Sequence, residues 1–370
     1  MMMQISRRKF LLAGAALGAG AAFGLFPRTA NANNYWLVSA CSNKNNEHFV
    51  AALDMQGQLR CQVQLPARGH DVIALANKPG HVIAFARRPG TFAMEVDLLK
   101  GEVVNEIHAL ADSHFYGHGT FSAKHNVLIT SENRFASGEG RIVLRDARDY
   151  SLLESYPSGG IGPHQIALMP GEDSLVIANG GIRTHPDQPR KKLNLDTMAP
   201  NLAYLDLSNG KVVQSHRLDN PKLSIRHLAV STQGKVVAGL QYQGAKNDLV
   251  PLAIAHQGQD SLQYLKADED TWRRMNQYTA SVCIDEAQQV VAISCPRADL
   301  ITYWSLRGNS FIASERLADG AGLTFTDRLY ASSGKGRVVT SKTLGTDREA
   351  NLMEFSGLKW DNHLAHIEIG

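Results

Sequence analysis

Short apolar runs alternate with turn residues along almost the whole chain, and they predict strand after strand with no amphipathic helix of useful length. One stretch shows the unit: His70–Ala76, His81–Ala86, Phe92–Leu98 and Val103–Ala109 read as four strands, punctuated by Lys78-Pro79-Gly80, Arg88-Pro89-Gly90 and Lys100-Gly101. The pattern continues with Val127–Thr130, Arg141–Arg145, Leu175–Ala178 and Leu202–Leu207. Five strand starts are led by a histidine, at His70, His118, His164, His227 and His363. Two more, with Ser281 and Leu323 in the histidine place, complete a series of seven spaced by 48, 46, 63, 54, 42 and 40 residues.

Repeats of this period made of four short strands predict an all-β, seven-bladed β-propeller. His363–Ile369 has no room after it for three more strands, whereas Trp36–Cys41, Phe49–Asp54 and Leu59–Leu65 precede the first histidine start. The expected closure is therefore a last blade made of the C-terminal strand, innermost, and three N-terminal strands, which removes the open seam. Two insertions stand out. Asn179–Pro200 reads as an ordered loop lying over the ring, and Asp268–Tyr278 as a short helical turn around Trp272.

The N-terminus departs from this pattern. Ser6-Arg7-Arg8-Lys9-Phe10-Leu11, an apolar Gly/Ala-rich run to Phe26 and Ala30-Asn31-Ala32 read as a twin-arginine export signal cleaved after Ala32. The expected domains are thus 1–32, signal peptide, and 33–370, one propeller, with a periplasmic location and no stable membrane insertion after cleavage. The signal holds four of the 38 basic residues, leaving 34 against 35 acidic ones, so the apparent basicity belongs to the signal. A near-neutral propeller carries no electrostatic footprint for nucleic acid, and a monomer is expected. Among four cysteines, Cys283 and Cys295 on consecutive strands are the expected pair if a disulfide forms.

In a propeller the first strand of each blade lines the central channel, so the five histidines share one mouth with the loops between second and third strands. Those loops are polar, with Arg87 and Arg88 among them, and carry Asn133, Arg134, Asn179, Arg183, His185, Gln241, Arg297 and Lys335 as candidate ligand-binding residues. Converging imidazoles suit a transition metal, iron or copper, with Glu132 or Asp361 as an adjacent carboxylate. Two alternatives stand beside this: histidines that bond backbone or water and stitch blades together, and a site for an organic or anionic ligand. A ring of seven blades can also hold opposite histidines too far apart for one ion. His114, His125, His216 and His256 fall outside the pattern and read as surface residues. No phosphate-cradling glycine loop, nucleophile elbow, His-Glu-x-x-His motif or haem-attachment motif occurs, which counts against familiar hydrolases and nucleotide enzymes.

Gly159-Gly160-Ile161-Gly162-Pro163-His164, the run from Ala178-Asn179-Gly180-Gly181 through Arg183-Thr184-His185-Pro186 to Met198-Ala199-Pro200-Asn201-Leu202, Arg226-His227 and Ala331-Ser332-Ser333-Gly334-Lys335-Gly336 together resemble the bacterial domain-of-unknown-function family 1513. The resemblance runs from about Tyr35 to the C-terminus. It implies an exported seven-bladed propeller, often encoded beside imelysin-type iron-uptake proteins and dihaem peroxidase-like oxidoreductases. No catalytic residues come with it. The expected function is a periplasmic binding or accessory protein for iron acquisition, whose histidine-lined mouth meets a metal, a metal complex or a periplasmic iron-uptake or redox partner. A metal-dependent oxidoreductase or hydrolase at the same mouth, and a docking scaffold with structural histidines, are the alternatives.

Overall fold

The computed structural model describes residues 34–188, 191–341 and 351–370; the twin-arginine segment lies outside them. Among the described residues no helix is long and apolar enough to cross a membrane. The strands form seven antiparallel sheets arranged as a β-propeller. Six are four-stranded meanders, within 69–108, 113–157, 163–217, 223–264, 282–316 and 320–354, here blades 1 to 6. Blade 7 takes Tyr35–Ser42, His48–Asp54 and Leu59–Leu65 from the N-terminal side, and Lys359–Trp360 and Ala365–Glu368 both pair antiparallel with Tyr35–Ser42.

Burial explains the order within a blade. Second and third strands such as His81–Ala86 and Phe92–Asp97 are buried almost throughout, while fourth strands such as Glu102–His108 and Lys211–Arg217 are largely exposed and polar. Polar, charged outer strands blunt the unpaired edge that each blade turns to solvent. The apolar core is divided into seven slabs, one between each pair of neighbouring blades. Val38, Val50, Val72 and Val82 join blades 7 and 1, for example, and Leu37, Ala51, Tyr330 and Val338 join blades 6 and 7.

One irregularity recurs and positions everything that follows. The ladder between first and second strands skips residues at the same level in blade after blade: between Gly69 and Val72, Phe115 and Gly119, Pro163 and Ile166, Ile225 and Leu228, and Gly320 and Leu323. In blade 7 Trp360 pairs with Cys41 and Ala365 with Val38, so 361–364 bulges in the same way. A bulge leaves residues unpaired and re-aims their side chains. Its freed carbonyls need partners, and serines of the second strands supply them: Ser39 Oγ donates to His363 O (2.5 Å), Ser131 Oγ to His118 O (3.0 Å) and Ser294 Oγ to Ala321 O (2.6 Å).

Several expectations need correction. Leu323 is not the counterpart of the histidines: it follows the blade 6 bulge, Ala321-Gly322, and packs into the slab between blades 5 and 6. Cys283 and Cys295 are free thiols. Cys283 pairs with Ala292, three residues before Cys295, and that odd separation places the two side chains on opposite faces of the sheet. His114 and His256 are buried, not surface residues. His114 stacks between Tyr116 and Phe135, and His256 Nδ1 meets the Tyr204 hydroxyl at 2.6 Å. The Asp268 insertion does form a helical turn, Glu269–Arg274, capped by Asp268 and carrying Trp272 onto Trp304.

Candidate metal centre

Five of the six bulges deliver a histidine to the channel, with Gly69-His70-Asp71, Tyr116-Gly117-His118, Pro163-His164, Arg226-His227 and Asp361-Asn362-His363 as the local sequences. Gly117 shows why the second one reads as it does. Its φ is +96°, and a Cβ there would lie 2.8 Å from His70 Cδ2, so only glycine lets the blade 2 bulge pass the neighbouring imidazole. Gly322 does the same for blade 7: a Cβ would fall 2.6 Å from the His363 carbonyl carbon.

The bulges bring the rings much closer than regular strands of a seven-membered ring would. His70 and His118 have centroids 4.8 Å apart, His118 and His164 4.6 Å, His164 and His227 4.7 Å, and His227 and His363 4.6 Å, while the ring closes with His70 and His363 at 4.9 Å. All five are buried. One ligand atom from each of His70, His118, His164 and His227 fits within a sphere of mutual distances no greater than 4.8 Å, and Asp71, His118 and His363 form a second such group. Nitrogens bound to one ion at ~2.0–2.1 Å stand about 3–4 Å apart, so the four imidazoles need to draw inward to close on a metal.

Two carboxylates set the tautomers. Asp361 Oδ1 accepts from His70 Nδ1 at 2.9 Å, and its Oδ2 from Arg68 Nε at 2.6 Å. Asp71 Oδ2 accepts from His118 Nδ1 at 3.0 Å, with His363 Nδ1 3.6 Å from its other oxygen. Burial alone would raise both carboxyls. For Asp71 the neighbouring His363 and the hydrogen bond from His118 outweigh burial and hold it at about 2; for Asp361 the His70 contact and Arg68 hold it well below the usual range. Ionised carboxylates only accept, so Nδ1 of His70 and His118 carries a proton and turns Nε2 toward the cluster, the carboxylate–histidine arrangement of metal ligands.

Burial keeps His70, His164, His227 and His363 neutral. It lowers His70 to about 3 against the pull of Asp361, lowers His363 to about 4 against that of Asp71, and places His164 and His227 well below the ordinary value. Neutral imidazole is the form that ligates. His118 Nε2, His164 Nδ1 and His363 Nε2 are buried with no hydrogen-bond partner, and neither nitrogen of His227 has one at good geometry, the Ala280 backbone being its one weak contact. Histidines that stitch blades through direct bonds to protein groups would have those atoms satisfied within the chain.

The loop candidates are bound up in the wall of the mouth. Asn133 Oδ1 accepts from Gly162 N, Asn179 exchanges hydrogen bonds with Ser158, and Gln241 Nε2 donates to Thr279 O. Arg183 donates to the Phe135 and Ala136 carbonyls, and Arg134 pairs with Asp112 and Glu139. His185 lies beside the Phe135 ring and 3.5 Å from Asp187, Arg297 covers the Tyr278 ring, and Lys335 is exposed. These contacts tie the Asn179–Pro200 loop across from blade 2 to blade 4, where Lys192 Nζ donates to Gln243 and Lys222 Nζ to Leu195 O. Of the two carboxylates expected beside the histidines, Asp361 is there and Glu132 is not: Glu132 is taken up by Arg145, Thr130 and the Leu110 amide. Asp71 and Arg226 were not among the expected site residues, although each stands next to one of the histidines in the chain.

A family profile described as Protein of unknown function (DUF1513) matches residues 63–367. Among solved structures the chain is similar to Kuenenia stuttgartiensis hydrazine synthase, with a TM-score of 0.60 and 11% identity over 91% of this chain and 100% of that one. It is also similar to a functionally unknown protein from Desulfotomaculum acetoxidans DSM 771, with a TM-score of 0.61 and 10% identity over the same shares. At such identities the likeness is one of fold alone. No curated protein matches the sequence.

Proposed function

We propose, for a chain that belongs to the DUF1513 family of proteins of unknown function, that it is an exported binding protein that holds a transition metal, iron or copper, on His70, His118, His164 and His227. The observation that carries this reading is the set of buried, unpartnered imidazole nitrogens on His118, His164 and His227 converging in one cluster. Imidazole donors suit iron and copper, and Asp361 and Asp71 supply the outer carboxylates that orient and strengthen such ligands. The periplasm as its location rests on Arg7, Arg8 and the small-residue site ending at Ala32. The link to iron acquisition rests on the iron-uptake neighbours that the family resemblance implies.

Elemental analysis of protein purified from the periplasm tests it. The wild-type chain is expected to carry iron or copper near one equivalent, and a His118→Ala/His164→Ala variant to carry almost none while keeping its fold. Wild-type protein that comes out metal-free, and takes up neither metal on reconstitution, would overturn the reading.

A further inference from the structure

Beside the histidines lies a buried positive charge with nothing to balance it. Arg226 stands in the blade 4 bulge, at the position that His70 and His164 occupy in theirs, and is only 1% exposed. Its Nε and Nη1 are buried with no hydrogen-bond partner, and among the described residues no carboxylate pairs with it. A buried guanidinium without an acceptor is costly enough that proteins rarely retain one. The groups around it make the imbalance worse. Arg88 and Arg87 act on it as like charges, and the nearby Tyr116 and Tyr278 contribute phenols, not carboxylates.

Arg88 is itself free of any acid among the described residues. Its Nη1 donates to the Tyr116 hydroxyl at 2.9 Å and its guanidinium lies over that ring, while the Tyr116 hydroxyl donates onward to Ile182 O. Lys192, on the long loop at the rim, faces Arg226, Arg297 and Arg88 and lies below its ordinary value because of burial and those charges. Among the described residues no carboxylate pairs with Arg226, Arg88 or Lys192, and cations left unpaired beside one another describe a site whose partner is an anion. A guanidinium matches two oxygens of a carboxylate or phosphate at once, through Nε and Nη2 on its side or Nη1 and Nη2 at its end, so an anion on either edge would give one of the orphaned nitrogens of Arg226 an acceptor.

We propose that Arg226 and Arg88, with Lys192 at the rim, form a binding site for a small oxyanion beside the histidine cluster. The proximity to His164, on which both arginines act, makes that anion a neighbour of the proposed metal, as a carboxylate chelator of the arriving ion or as a free inorganic anion. The anion site itself stands on Arg226 and its surroundings, and only its relation to a metal rests on the reading above.

Isothermal titration of the metal-free full chain at low salt, with citrate and separately with inorganic phosphate, tests it. Saturable one-to-one binding of at least one anion is expected, weakened ~10-fold or more in both R226Q and R88Q and weakened by added salt. Citrate alone would identify a carboxylate chelator, phosphate alone a free inorganic anion. No saturable binding of either, or wild-type affinity in the variants, would overturn the proposal. R226Q removes a buried charge from the middle of the fold; should it fail to fold, R88Q, at the mouth, decides alone. A chain that binds the anion through Arg226 yet loads no metal would keep this inference and sink the metal reading.

Discussion

Asp71 of blade 1 holds His118 of blade 2, with 3.0 Å between Oδ2 and Nδ1. The same carboxylate stands 3.6 Å from His363 of blade 7, so one side chain orders imidazoles from both neighbours of its own blade. Its other hydrogen bond, from the Val72 amide at 2.9 Å, fixes it in the bulge. Asp71→Asn keeps the size and an oxygen acceptor but removes the charge that fixes the His118 tautomer. Metal affinity is expected to fall ~10–100-fold, read by competition titration with a chromogenic chelator. The urea midpoint at neutral pH should fall as well, because the ionised carboxylate, held below its ordinary value by its neighbours, stabilises the fold there, so the titration is read on protein shown to be folded. Affinity equal to wild type would show that Asp71 is not a ligand-orienting group.

Gly117 offers a test of the bulge. Alanine there must adopt a φ of +96° and place its methyl 2.8 Å from a ring carbon of His70. His70 cannot retreat freely, since Asp361 holds its other side. Gly117→Ala is expected to destabilise the protein by ~1–3 kcal/mol and to lower metal loading as well, because the displaced ring is a proposed ligand. A variant with wild-type urea midpoint and wild-type loading would mean that the blade 2 bulge tolerates a side chain and does not set the cluster.

The fold was legible in the sequence because blades are local: four strands and three turns leave their signature within one period, and Lys78-Pro79-Gly80 or Asn209-Gly210 mark it regardless of the rest of the ring. The histidines were legible for the same reason, each heading its own strand. Their mutual distance was not. It depends on six bulges, and a bulge shows only when two strands are aligned, as when Phe115 meets Glu132 and Gly119 meets Thr130. The carboxylates divide on the same ground. Asp361 and Glu132 look alike along the chain, but only Asp361 lies in a bulge, while Glu132 lies on a second strand facing Arg145. Cys283 and Cys295 were paired by proximity along the chain, which says nothing about which face of a sheet each side chain takes.

The neutral histidines set the acid stability of the metal-free protein. In the unfolded chain each titrates near ~6.5, whereas in the fold burial lowers His70 to about 3 and His363 to about 4 and keeps His164 and His227 well below the ordinary value. Between those values the unfolded chain binds more protons than the native one, so stability rises with pH across that window. The contribution is fully present above ~6.5 and is lost as pH falls toward the folded values, each histidine steepening the curve by up to ~1.4 kcal/mol per pH unit. Asp71 and Asp361, depressed below the ordinary carboxylate value, act in the same direction but only lower down, below ~4. Chelator-treated protein should therefore show a falling urea midpoint from pH 7 to pH 5, before any carboxylate titrates. His227→Gln, which removes one of the four groups, should show a shallower fall over the same range. A midpoint that stays flat from pH 7 to pH 5 would mean that the cluster accepts protons in the folded state as readily as in the unfolded chain, and that burial does not hold the four imidazoles neutral.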